Sequence, residues 1–151
     1  MIENEIKPNN CPECGSDMIR DIRPFTVEYK GLAETVDAPG WYCTRCDEAV
    51  FVGKEIDAAD KALVRLKAQA EHLLQPEQIR KIRKKLALTQ AEAGELLGGG
   101  RNAFQKYESA QITTTKSLSV LLRLLERQPE MLNLIREDKS PYVVDTGTHK
   151  Q

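Results

Sequence analysis

Cys11-Pro-Glu-Cys14 and Cys43-Thr-Arg-Cys46 hold all four cysteines of the chain, in two Cys-x-x-Cys pairs with 28 residues between them. Each pair sets two sulfurs on one side of a tight loop. Two such loops brought together offer four soft ligands in the tetrahedral set that zinc prefers. Pro12 stiffens the first turn and Gly15 permits a left-handed or closely approached backbone there. The interval suits a zinc-ribbon-like module with a hairpin or small sheet between the knuckles. Four cysteines also close the coordination shell, which makes the expected zinc ion, bound by Cys11, Cys14, Cys43 and Cys46, structural rather than catalytic. The competing readings are two disulfides, an iron site or a dithiol redox pair. The redox pair would need a thioredoxin-like βαβ context, and neither cysteine pair has one.

A metal staple agrees with the size of the chain. Its 151 residues, 40% of them hydrophobic, make one ordinary domain or two small ones with small cores. No apolar run is long enough to span a bilayer, and Met1-Ile-Glu-Asn-Glu-Ile-Lys7 lacks the basic start and apolar stretch of a signal peptide. The expected location is the reducing cytoplasm, with no membrane partner; such a compartment favours thiolates on a metal over disulfides.

The net charge of −1 conceals a division. Residues 1–75 carry 9 Lys/Arg against 14 Asp/Glu, whereas residues 76–136 carry 11 against 6. An acidic part suited to a basic partner thus precedes a basic part suited to phosphates. Residues 8–56 read as a β-rich module. Phe25-Thr-Val-Glu-Tyr29 alternates apolar and polar positions, Gly31 breaks the run, Asp37-Ala-Pro-Gly40 marks a turn, and Ala49–Val52 is a further short strand. Trp41, two residues before Cys43, is expected to cover the metal site, and exposed strand edges are candidates for adding a partner strand. Residues 57–75, rich in Ala, Leu and charge, read as a helical linker that Pro76 ends. His72 has no ligand-type neighbour at a useful spacing and reads as a surface residue.

Residues 76–137 read as an all-α region of five helices. Pro76 opens the first, with Ile79, Ile82 and Leu86 inside; Thr89-Gln-Ala-Glu92 is a capping box for the second, which buries Ala93, Leu96 and Leu97. Gly98-Gly-Gly100 breaks the chain before a third helix at Arg101–Glu108, the pattern of a helix-turn-helix. Leu118, Leu121, Leu122 and Leu125 mark the fourth, and Pro129 opens the fifth with Met131, Leu132 and Ile135. In the third helix Phe104 and Tyr107 look inward, while Arg101, Asn102, Gln105 and Lys106 form two i, i+4 pairs on one exposed, acid-free stripe. Amides such as Asn102 and Gln105 read adenine edges; cations such as Arg101 and Lys106 read guanine or hold phosphate. Arg80, Lys81, Arg83, Lys84 and Lys85, together with Thr113, Thr114 and Thr115, are expected at phosphates. A merely soluble helix surface is the bland alternative, and the preceding helix, the glycine turn and the basic balance argue against it.

The succession of the two cysteine pairs, Ile82-Arg-Lys-Lys-Leu-Ala-Leu-Thr-Gln90, Gly98-Gly-Gly-Arg-Asn-Ala-Phe-Gln-Lys-Tyr-Glu108 and a leucine-rich helix resembles the MqsA-type antitoxins, over about residues 10–137. The resemblance implies an α+β chain of two domains, a β-rich zinc module followed by an Xre or lambda-repressor-like helix-turn-helix domain. It further implies a homodimer through the C-terminal domain, a palindromic double-stranded DNA operator, and a small ribonuclease toxin, expected to be basic, engaged by the N-terminal domain. Asn102 stands at the family's base-reading asparagine. Lys106 replaces an arginine, which keeps the charge and loses the bidentate fork. Ala110 replaces a glycine that often follows this helix. The segment before Cys11 and a tail over 138–151, with Pro141-Tyr-Val-Val-Asp145, lie outside the resemblance, and the tail is expected to be flexible. The expected function is that of a type II antitoxin repressing its own operon. The alternative is a zinc-containing helix-turn-helix regulator without a toxin partner. An enzyme such as a metal-dependent nuclease lacks materials: His72 and His149 are the only histidines, and neither lies near a knuckle.

Overall fold

The computed structural model describes residue 8 and residues 10–138, so all of the expected tail after Asp138, with Pro141–Asp145 and His149, lies outside the described residues. Two twelve-residue strands, β1 (Met18–Tyr29) and β2 (Leu32–Cys43), pair antiparallel from Met18↔Cys43 to Tyr29↔Leu32. Their connection is the Lys30-Gly31 dipeptide, both residues at positive φ (47° and 80°), as a type I′ hairpin turn requires. A short β3 (Ala49–Val50) pairs with Trp41 and Tyr42 on the other side of β2, giving the order β1-β2-β3.

The turn expected at Asp37–Gly40 is absent: β2 runs straight through it, with Asp21 opposite Gly40 and Ile22 opposite Pro39. Proline is tolerated there because β3 reaches only Trp41 and Tyr42, so the outer side of β2 at Pro39 has no ladder partner that needs its missing N–H. Gly40 serves a close approach instead. A Cβ built on it would lie 2.8 Å from the Phe51 ring, which also packs edge-on against Phe25 and Tyr42.

After a 3₁₀ turn (Gly53–Ile56), helix α1 (Asp57–Ala70) lies against β1 and β2. Three of its four buried residues, Ala59, Ala62 and Ala68, are alanines; with Leu66 they allow a close approach to the sheet. An Arg65–Glu34 ion pair and the Tyr29 hydroxyl, which donates to Glu71 at 2.8 Å, hold the outer edges. The segment expected as a helical linker thus packs on the sheet. The helix stops at Ala70, short of Pro76, in a Schellman turn: His72 is at φ 55° and the Leu73 N–H bonds to the Ala68 carbonyl at 2.8 Å.

The helical region contains α2 (Pro76–Lys85), α3 (Gln90–Leu97), α4 (Ala103–Glu108), α5 (Lys116–Arg127) and α6 (Met131–Glu137). Its core joins Leu74, Ile79, Ile82, Leu86, Leu88, Ala93, Phe104, Tyr107, Leu118, Leu122, Leu125 and Leu132, with Leu96, Leu97, Leu121 and Ile135 partly buried against it. Of the apolar residues on α6, Leu132 is buried and Met131 is 38% exposed. The capping box at Thr89 forms: its Oγ1 accepts from the Glu92 N–H at 3.2 Å, and its N–H donates to Glu92 Oε2 at 2.8 Å. α2 and α4 both end in Schellman turns with alanine at the left-handed position, Ala87 at φ 55° and Ala110 at φ 56°. The turn after α4 therefore survives the absence of glycine, at the cost of a strained Cβ. Ala87 is exposed, so Ala87→Gly relieves that strain without loss of packing. Chemical denaturation is expected to show a gain of about 0.5–1 kcal/mol in this region; no gain would mean that the turn relaxes with alanine in place.

Candidate metal centre and nucleic-acid interface

The hairpin carries the two knuckles to one end of the sheet. In the first knuckle the Cys11 N–H bonds to the Ser16 carbonyl at 2.8 Å and the Gly15 N–H to the Cys11 carbonyl at 2.9 Å, with Gly15 at φ 71°. The second continues directly from β2: the amides of Arg45 and Cys46 both point at Cys43 Sγ, each at 3.4 Å. Thr44 ties the two together by donating its hydroxyl to the Asp17 carbonyl at 3.0 Å. Cys11 and Cys43 are buried with Met18, and Trp41, Cys46 and Val50 pack against them, so the tryptophan takes its expected place in the wall of the site.

The four sulfurs lie within 4.8 Å of one another, with Cys11–Cys46 at 3.6 Å and Cys14–Cys43 at 3.4 Å. A tetrahedron with metal–sulfur bonds of about 2.3 Å has edges of about 3.8 Å, so the donor set fits a single four-coordinate ion. The thiols differ in acidity. The Ser16 hydroxyl and amide pull Cys14 down to about 6. The Arg45 amide lowers Cys43. Against the pull of the Glu48 amide, the Cys43 sulfur, burial and the remaining sulfurs push Cys46 up to about 12. Four sulfurs this close together oppose one another's ionisation, and a cation bound among them offsets that repulsion.

The second surface centres on α4. Gly98, Gly99 and Gly100 all have positive φ (107°, 92° and 87°), which brings the chain back onto α3. A Cβ at Gly94, within α3, would stand 2.0 Å from the Gly100 carbonyl oxygen, so the close turn depends on a mid-helix glycine as well. Sequence reasoning missed Gly94, whose only signal was an isolated glycine in an otherwise helical run. The helix begins at Ala103, not Arg101. Asn102 is its N-cap, with no side-chain cap bond, and Arg101 belongs to the turn, 3.6 Å from Glu95. Arg101, Asn102, Gln105 and Lys106 are nevertheless all exposed, and Ala103, Phe104 and Tyr107 are buried beneath them.

Four expected phosphate ligands, Thr114, Thr115, Arg83 and Lys85, are engaged elsewhere. Thr114 is 3% exposed, and its hydroxyl meets Ser119 Oγ at 2.7 Å, which in turn accepts from the Leu74 N–H at 3.1 Å. Thr113 is half-buried and Thr115 caps α5 by accepting from the Leu118 N–H. Arg83 is bound to Glu108, with Nη2 donating at 3.0 Å to an oxygen that also accepts from Gln90 Nε2 at 2.9 Å. With side chains 11% and 4% exposed, this pair holds α2, α3 and α4 together. Burial drives the Glu108 carboxyl upward, but the Arg83 guanidinium and the Gln90 amide outweigh it and hold the group below its usual value. Lys85 donates to the Glu126 carbonyl at 2.6 Å, whereas Arg80, Lys81 and Lys84 stay exposed. Among the described residues no helix is long and apolar enough to cross a membrane.

Comparison with known proteins meets this geometry at both ends. The model of a family described as the antitoxin component of bacterial toxin-antitoxin systems, MqsA, matches residues 9–136. Antitoxin MqsA of Escherichia coli (strain K12) is 39% identical over 130 residues, which cover 83% of this chain and 98% of that protein. The match spans the cysteine cluster, the sheet and the helices as far as residue 136 in α6, and on that extent the chain belongs to the MqsA antitoxin family.

Proposed function

We propose that this chain is the antitoxin of a type II toxin–antitoxin pair that also represses its own operon. The observation carrying the DNA half of this reading is the sorting of α4 into two faces: Ala103, Phe104 and Tyr107 are buried, while Asn102, Gln105 and Lys106 stand outward behind a glycine turn. In this reading α3 and α4 are a helix-turn-helix of the Xre type, and α4 enters the major groove. Asn102 and Gln105 read base edges, Lys106 and Arg101 read guanine or hold phosphate, and Thr113 with Arg80, Lys81 and Lys84 fixes register on the backbone. Val120, Leu124, Met131 and Leu134, 44%, 50%, 38% and 60% exposed, give α5 and α6 an apolar surface for a second copy. A twofold pair of α4 helices then matches a palindromic operator.

Toxin neutralisation falls to the acidic N-terminal module, held by structural zinc on Cys11, Cys14, Cys43 and Cys46; zinc fits because all four donors are soft and the shell is closed. Among the described residues the outer edge of β1 has no strand partner, and Ile19, Ile22 and Phe25 along it are 45%, 66% and 36% exposed, which suits strand addition by a small basic ribonuclease. Asn102→Ala tests the DNA half. It is expected to relax preference at one position of each half-site, with a loss of about 1–3 kcal/mol of discrimination there and unchanged affinity for unrelated DNA. Titration of base-substituted duplexes checks this, and an unaltered profile would remove Asn102 from base reading.

A further inference from the structure

The outward stripe carries two cations, Arg101 and Lys106, and the fold treats them differently. Among the described residues no carboxylate stands within ion-pair distance of Lys106, whereas Arg101 Nη1 lies 3.6 Å from Glu95 Oε1. Backbone geometry fixes that neighbour. Gly94 lets the glycine turn close onto α3: the Gly100 N–H meets the Gly94 carbonyl at 3.3 Å, and a Cβ on Gly94 would lie 3.5 Å from the Arg101 carbonyl carbon. Glu95 is the next residue of that helix, so the arginine side chain leaves the backbone beside it. The other acidic residue of α3, Glu92, is occupied as a cap, its Oε2 accepting from the Thr89 N–H at 2.8 Å.

The contact leaves one edge of the arginine open. A guanidinium has five donors, and Nη1 alone takes part in the pair; among the described residues no acceptor meets Nε or Nη2. The N–H groups of that edge run parallel and match O6 and N7 of guanine. Arg101 can therefore read guanine without leaving Glu95. Gripping a phosphate is different, because the phosphate competes with the carboxylate for the same cation and repels it, so backbone binding breaks the pair.

We propose that Glu95 is a positioning residue for base reading: it holds Arg101 by Nη1, presents the Nε–Nη2 edge to a guanine of the operator, and withholds the arginine from the phosphates of unrelated DNA. The inference rests on the DNA-binding reading above. With side chains 74% and 58% exposed, the pair contributes little to the fold, and its effect falls on the choice of sequence. Lys106, which has no such restraint, remains free to hold phosphate.

Glu95→Gln keeps the size of the side chain and removes its charge, and thermal melting verifies that the fold is intact. With the metal-loaded chain, anisotropy titrations use a duplex that the wild type selects from a random-sequence pool, its single-base variants, and an unrelated duplex. Arg101→Ala locates the guanine, as the position whose substitution no longer matters. In Glu95→Gln, affinity for the unrelated duplex is expected to rise about two- to fivefold, the range of an exposed ion pair. The slope of log K against log salt on that duplex should steepen by up to about one, because a freed arginine adds a phosphate contact. Preference for the guanine should fall by a similar two- to fivefold factor. In the Arg101→Ala background the same substitution is expected to leave affinity and slope nearly unchanged. An equal rise in both backgrounds would mean plain repulsion between Glu95 and DNA, and overturns the positioning role. So does a Glu95→Gln chain that behaves as wild type, a guanine preference that survives the substitution, or the absence of any base position that depends on Arg101; all of these spare the DNA reading. A wild type that selects no sequence from the pool overturns that reading and this inference with it.

Discussion

Removing the metal, or replacing Cys43 by serine, is expected to unfold the sheet end of the N-terminal module while α2–α6 remain folded. Apart from Met18, the buried residues of that end are the ligands themselves, Cys11 and Cys43, with Trp41, Cys46 and Val50 around them. A cluster of this size cannot offset the conformational entropy of the two knuckles, whereas a structural zinc site contributes on the order of 10–16 kcal/mol in small zinc-binding peptides at neutral pH. Neither does the helical core touch the site: its residues start at Leu74. The chain's single tryptophan, Trp41, reports on the module directly. Chelation should shift its emission to that of an exposed indole while most far-ultraviolet helical signal persists. A concerted loss of both signals would show that the two regions fold as one unit. Acid should favour metal release, because every thiolate ligand must give up its ion to a proton.

Breaking the Arg83–Glu108 pair is expected to be the most damaging single change in the helical region. Glu108→Ala leaves the Arg83 guanidinium buried without its counter-charge, and Arg83→Ala does the converse; either should cost about 3–5 kcal/mol in urea denaturation. A small helical domain with stability in the usual range would lose much of it. Since Glu108 also binds Gln90, the loss should disorder the placement of α4 and abolish DNA binding together with stability. Joint replacement by apolar residues of similar volume should recover most of the stability, because it removes both buried charges. The pH dependence follows from the lowered Glu108 value. Its stabilisation is fully present above the unfolded carboxylate value, near 4.5, and is lost as pH falls through the lower folded value. Glu108→Gln should flatten that acid limb, and an unchanged limb would assign the acid sensitivity to other groups.

How far the chain could be read without coordinates varied with the range of the signal. The knuckles and the Thr89 capping box are local motifs, complete within four residues, and both formed where their spacing placed them. Asp37–Gly40 was misleading for a physical reason: proline and glycine are turn residues in isolation, but Pro39 uses an unpaired strand side and Gly40 admits a ring from Phe51, eleven positions away. The helical character of residues 57–70 was legible in their composition, whereas the face they turn to the sheet is mostly alanine and gives no large apolar signal. Arg83 looked like one more cation in a basic helix, and only the fold brings Glu108, 25 residues on, against it. The outward stripe was legible as composition, but the start of α4 was not, since three successive left-handed glycines delay the helix to Ala103.

The central claim is a division of labour: a metal-folded module that holds a toxin, joined to helices that hold DNA. Calorimetric titration of the purified chain with the small basic toxin proposed as its partner, for wild type and Cys43→Ser, tests this most directly. The account predicts saturable binding by the metal-loaded wild type, none by Cys43→Ser, and equal operator affinity for the two chains. Toxin binding that survives the loss of the metal site, or no binding by the metal-loaded wild type, would contradict it.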